Sequence, residues 1–153
     1  MKRTLKTLLV ALAFAGALGG ASASAQVGNF ARLVARAEAN SARVEQSSES
    51  NGASIRQLNR GNVADVTQDG ADNAAAVRQN GTSNTAGLIQ SGNSNTLTVT
   101  QNNSNNAVCY VQRGNNLTGN YVQNGGERAV VIQTGRRTRV LPSPVAPPCH
   151  LFR

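Results

Sequence analysis

The chain has 153 residues, a formal net charge of +8, 39% hydrophobic residues, 3% aromatic residues and no Trp. So few large side chains exclude a conventional globular core, and 14% charged residues is too few for a self-repelling disordered chain. A lone His, His150 in a Pro-rich tail, and seven acids with no nucleophile or orienting group beside them argue against an enzyme, and no cofactor or metal site is expected.

Residues 1–25 read as a Sec-type export signal. Lys2, Arg3 and Lys6 make a positive start, Leu8 to Leu18 an apolar stretch, and Ala23-Ser24-Ala25 a small-residue cleavage motif. The apolar run is too short for a membrane-spanning helix. The exported chain is expected to begin at Gln26, with residues 26–39 forming a segment ahead of the repeats. Export permits a disulfide between Cys109 and Cys149, but nothing around them shows that they meet; an unpaired or tail-tying cysteine is the plainer reading.

Residues 40–135 are repetitive. Gln46, Gln57, Gln68, Gln79, Gln90, Gln101, Gln112 and Gln123 follow one another at intervals of 11, and Gln133 comes 10 later. Two residues before each of those eight Gln stands Val44, Ile55, Val66, Val77, Leu88, Val99, Tyr110 or Tyr121. Four before stands Ala42, Ala53, Ala64, Ala75, Ala86, Leu97, Val108 or Gly119. Six before stands Asn40, Asn51, Asn62, Asn73, Asn84, Asn95 or Asn106, with Leu117 as the exception. Two after comes Gly70, Gly81, Gly92, Gly114 or Gly125, replaced elsewhere by Ser48, Asn59 and Asn103.

Spacing by two places Asn, Ala, Val and Gln on one face of a strand, whereas a helix would scatter them. Each unit is therefore a strand of about seven residues and a turn of about four, where Gly or Asn accepts left-handed backbone angles. Two units make a rung of about 22 residues, and rungs stack with parallel strands about 4.8 Å apart. The expected fold is all-β: a flattened, amyloid-forming β-solenoid of about four or five strand–turn–strand rungs. Buried Gln and Asn are tolerable if each bonds to its counterpart one rung away, as an amide ladder. Open ends without Pro between residues 40 and 133 would let the stack recruit further copies. Asp65, Asp69, Asp72 and Gly87 are read as residues that slow such growth.

The tail, 136–153, is basic and Pro-rich. Arg128, Arg136, Arg137 and Arg139 are candidates for surface anchoring, and anionic surfaces or nucleic acid are secondary partners that this charge suggests. Outward positions before Gln (Glu45, Arg56, Thr67, Arg78, Ile89, Thr100) hold no Thr ladder, which disfavours an ice-binding solenoid.

The unit Asn73-x-Ala75-x-Val77-x-Gln79-x-Gly81 resembles the repeat of curlins, the subunits of curli fibres in bacterial biofilms. The resemblance covers roughly residues 40–135. It implies secretion through a dedicated outer-membrane apparatus, an extracellular fibre at the cell surface, other curlin subunits as partners, and adhesion. The basic, degenerate last repeat and the segment Asn29-Phe30-Ala31 resemble the minor, nucleating subunit more than the major one. The Pro-rich tail has no counterpart in that resemblance. Capping the C-terminal edge, binding a partner and disorder are all open roles for it.

Overall fold

The structure, a computed structural model, describes residues 28–144 and Cys149, together with the backbone of residues 7–13 and 21–22. The strands are β1 (Thr7–Ala13), β2 (Ala21–Ser22), β3 (Phe30–Ala35), β4 (Ser41–Ser47), β5 (Gly52–Leu58), β6 (Val63–Asp69), β7 (Ala74–Asn80), β8 (Thr85–Ser91), β9 (Thr96–Asn102), β10 (Ala107–Arg113), β11 (Thr118–Gln123), β12 (Arg128–Thr134) and β13 (Arg137–Pro142). They form two sheets, β1-β4-β6-β8-β10-β12-β13 and β11-β9-β7-β5-β3-β2.

From β3 to β12, even-numbered strands fall in one sheet and odd-numbered strands in the other, so two successive strands make one rung of a five-turn β-solenoid. Same-sheet neighbours are parallel and displaced by 22 residues, as in Gln68↔Gln90 and Val77↔Val99, except that β10 and β12 are displaced by 21, as in Gln112↔Gln133. The register follows from the pleat, because a one-residue slip would turn every inward side chain outward. In β6 and the residue before it, Asn62, Ala64, Val66 and Gln68 are at most 1% exposed, and the strand alternates between buried and more accessible positions.

The core between the sheets is a set of columns: Ala over Ala, Val or Ile over Val, Gln over Gln. Tyr110 replaces Val in its column, and space for it comes from across the core. A Cβ on Gly119, which stands at an Ala position, would lie 2.6 Å from the Tyr110 hydroxyl. The two Tyr rings meet edge to face, with centroids 6.3 Å apart. The two departures from the repeat are thus one compensated change of volume.

Three features extend beyond the expected repeat. The solenoid begins one unit before residue 40, since β3 pairs in parallel with β5 and sets Asn29, Ala31 and Leu33 beneath Asn51, Ala53 and Ile55. At the other end β13 folds back antiparallel on β12 through the two-residue turn Gly135-Arg136. Finally, Cys109 and Cys149 form a disulfide, 40 residues apart in sequence; closing such a loop is worth about 4 kcal/mol by chain entropy. The disulfide also corrects the reading of Gly87. A Cβ there would sit 2.6 Å from both the Cβ and Sγ of Cys149, so Gly87 seats the disulfide and its bareness has a packing cause.

Within the expected 1–25 leader, β1 pairs antiparallel with β4 and β2 with β3; the Ala23-Ser24-Ala25 motif lies outside the described residues. Removing a fully buried side chain from the centre of the stack tests the packing. Leu88→Ala should cost about 2–5 kcal/mol, whereas Thr98→Ala on the outer face should stay within about 0.5 kcal/mol. Urea midpoints at an unchanged slope report both.

Candidate functional site: the amide ladders and the ends of the stack

Gln and Asn were expected to form similar ladders, but the structure gives them different tasks. The Gln side chains bond to one another along the axis. In the even-strand sheet Gln46 Nε2 donates to Gln68 Oε1 at 2.8 Å, Gln68 to Gln90 at 2.9 Å, Gln90 to Gln112 at 2.9 Å and Gln112 to Gln133 at 2.9 Å. In the odd-strand sheet Gln57 donates to Gln79 at 3.0 Å, Gln79 to Gln101 at 2.9 Å and Gln101 to Gln123 at 2.7 Å. Each Nε2 also donates across the core to a backbone carbonyl of the opposite sheet, as from Gln68 to Gly52 O at 3.0 Å and from Gln101 to Thr85 O at 2.9 Å. One amide thus ties neighbouring rungs and facing sheets together, with donors and acceptor all used.

The Asn side chains clamp backbone instead. Asn51 Oδ1 accepts from the Asn73 N–H at 3.0 Å, and Asn51 Nδ2 donates to Gly70 O at 2.7 Å. The same pair of bonds links Asn73 to Asn95 N–H and Gly92 O, and Asn62 to Asn84 N–H and Gly81 O. Asn106 adds a side-chain bond to Asn84 Oδ1, 3.0 Å long. Asn40, Asn84 and Asn95 clamp Asn59, Asn103 and Gly114 carbonyls in the same way. Polar groups at the bends are thereby satisfied without water.

The turn positions Gly70, Gly81, Gly92, Gly114 and Gly125 all have positive φ, between 106° and 145°. At Gly81 the requirement is also steric, because a Cβ would fall 1.6 Å from the Asn103 carbonyl oxygen of the next rung. A second left-handed position per turn escaped the sequence reading. Ala39, Ser50, Asp72, Ser83, Ser94, Asn105 and Asn116, four residues after each unit's Gln position, have φ between 56° and 62°. Its signal was only a preference for small polar residues.

The ladders have a direction: amide nitrogens point toward the C-terminal rungs and amide oxygens toward the N-terminal ones. At the N-terminal end Gln46 Oε1 and Gln57 Oε1 are buried and have no hydrogen-bond partner among the described residues. For Gln57 the cause is Ala35, which stands where the preceding rung would carry Gln; a small void lined by Leu33, Ala35, Ile55 and Gln57 remains there. At the C-terminal end Gln123 directs Nε2 to Ala107 O at 3.2 Å and Glu127 O at 3.0 Å. Gln133 Oε1 accepts from both Gln112 and the Tyr110 hydroxyl. Burial raises the Tyr110 phenol above its ordinary value, and burial followed by the Glu127 charge raises that of Tyr121. Arg128, Arg136, Arg137 and Arg139 are all exposed at this end, around β13 and its turn.

Parallel columns of buried Gln define a class: β-solenoids whose rungs are held by amide ladders. The curlin associated repeat matches residues 70–102, the stretch containing β7, β8 and β9, so this part of the chain is similar to the repeat of curlins. No curated protein and no solved structure matches the chain.

Two substitutions test the ladder. Ala35→Gln should fill the void and give Gln57 Oε1 a donor, raising stability by roughly 0.5–2 kcal/mol in urea denaturation. Gln90→Glu should make stability depend on pH. A protonated carboxyl can still donate to Gln112 Oε1, but a carboxylate cannot, and burial raises its folded-state pKa above the unfolded value of about 4.3. The folded state then holds a proton that the unfolded state has lost, so stability is intact below about pH 4.3 and falls as pH rises through the raised value. A flat pH profile for the variant would contradict the buried ladder.

Proposed function

We propose that the chain is exported and serves as a structural subunit of curli-type amyloid fibres at the cell surface, starting fibres more than lengthening them. The observation that carries this reading is the open, directional ladder: Gln46 ends its column with an unanswered acceptor. A further rung adds backbone bonds, an amide bond and aliphatic packing in one step. The regular middle units offer the same stacking surface as other curlin-repeat chains, which makes such chains the natural partners. Export by the 1–25 signal and passage through an outer-membrane apparatus follow from the family resemblance, as do adhesion and matrix building.

Two observations favour the starting role over bulk growth. The last rung is irregular, with Leu117 in an Asn position, Gly119 in an Ala position and one residue missing before Gln133. Four of the exposed arginines, Arg128, Arg136, Arg137 and Arg139, stand at that same end, which suits attachment to an anionic surface. Attachment through them would weaken as salt screens the charge.

The experiment is seeding. Substoichiometric amounts of this chain, mixed with a regular curlin-repeat chain, should shorten the lag of dye-detected fibre growth and yield fibres with a meridional reflection near 4.7 Å. An unchanged lag and no such reflection would reject the proposal.

A further inference from the structure

The two ends of the stack are chemically unlike, and the difference lies in residues outside the repeat. We propose that the C-terminal tail is a disulfide-fastened plug that closes the C-terminal end, leaving the N-terminal face as the one that grows. The partner of that face is the C-terminal rung of a second curlin-repeat chain that lacks a plug. This inference rests on the fibre reading above and specifies its direction and its partner.

Growth past β12 requires a parallel strand in register with it. That edge is occupied by β13, which runs antiparallel, places Thr138 opposite Gln133 and ends in Pro142, opposite Ala129. Pro and arginine on an outermost strand are poor templates for another strand, and β13 carries Arg137, Arg139 and Pro142, all exposed. The bonding continues past the strand: Ser143 N–H donates to Arg128 O at 2.9 Å, and Arg128 Nη1 donates to Pro144 O at 3.0 Å. In the facing sheet, β11 is the outermost strand. Its Gln123 Nε2 donates to Ala107 O and Glu127 O, the same two backbone bonds that Gln79 makes while also donating to Gln101, so the closure proposed here acts through the even-strand sheet.

The fastening is built into the outer face of the even-strand sheet. Cys149 is bonded to Cys109 on β10, one strand inward from β12. Ile89, Cys109 and Val111 occupy outward positions yet are buried, packed with Val130 and Cys149 as a second apolar cluster. Gly87 on β8 supplies the room, since any Cβ would collide with Cys149. A tail that merely trailed from the last strand would need neither this bare position nor this apolar patch.

The opposite end is complementary to an unplugged rung. β1 and β2 lie on β4 and β3, and both belong to the expected leader. Their removal on export leaves the edges of β3 and β4 free and Gln46 Oε1 without a donor. A curlin rung arriving by its C-terminal side brings the missing Gln Nε2. Two oxidised copies of this chain cannot supply it to each other, because each C-terminal end is plugged. The chain therefore begins a fibre of another subunit.

The test uses the exported chain, purified with its disulfide intact. Wild type should show no elongation alone but should seed an unplugged curlin-repeat chain. The double variant Cys149→Ser/Gly135→Val releases the tail and strains the β12–β13 turn, where Gly135 has φ 56°; it should elongate unaided. If that variant loses its β-sheet circular dichroism, Gly87→Leu replaces it, evicting Cys149 with both cysteines retained. Elongation of the oxidised wild type at the rate of the released variant would overturn the plug and leave the fibre reading standing. A released variant that folds and still does not elongate would also overturn the plug. Failure of every form to seed or elongate would instead defeat the fibre reading itself.

Discussion

A side-chain amide in a dry core must find partners for two donors and an acceptor, or the fold loses a few kcal/mol at each one. In this chain every rung after the first buries two Gln amides, and the supply of partners is another amide one rung away. That arrangement requires Gln to stand opposite Gln in the parallel register, as in Gln68↔Gln90 and Gln79↔Gln101. The small aliphatic columns follow from it. Once Gln stacks on Gln, the residues two and four positions earlier must stack on their own counterparts, and Ala64, Ala86, Val66 and Leu88 fill the space between the sheets. Register, core volume and hydrogen bonding are thus one constraint, which explains how a chain with almost no large side chains can close a core.

The same constraint gives the molecule a direction. An amide that donates forward and accepts backward makes a column with unlike ends, as a helix has, although here the column is built from side chains. The middle of the solenoid, which includes the residues matching the curlin repeat, is its most regular part. Irregularities collect toward the ends: Ala35 in place of Gln, Tyr110 against Gly119, Leu117 in place of Asn, and the shortened step to Gln133.

The outward faces carry a separate division. Arg56 and Arg78 stack in register on the odd-strand sheet, and charge there keeps the side of the stack in water. The even-strand sheet is covered instead by the apolar cluster around Cys109. One face is solvated and the other is partly closed by the chain's own tail.

Much of this was legible in the sequence because the signal is local. Alternation by two identifies a strand face within seven residues, and recurrence at 11 identifies the rung, so Gln46 through Gln123, the Asn column and the Gly turns could be assigned from spacing alone. The solenoid class followed, and the structure bears it out. What spacing could not provide were relations that depend on how the chain returns upon itself. The Asn side chains bond to backbone because the bend brings turn carbonyls within reach. The first unit, β3, falls outside the spacing because Ala35 stands in place of its Gln. The partnership of Cys109 with Cys149, the bareness of Gly87 and the antiparallel return of β13 arise only when a tail distant in sequence is laid across finished strands. The sequence by itself determined the repeating unit, since pleat and periodicity act between neighbours. The tertiary structure alone decided how that repetition stops, because an end is defined by what folds back to cover it.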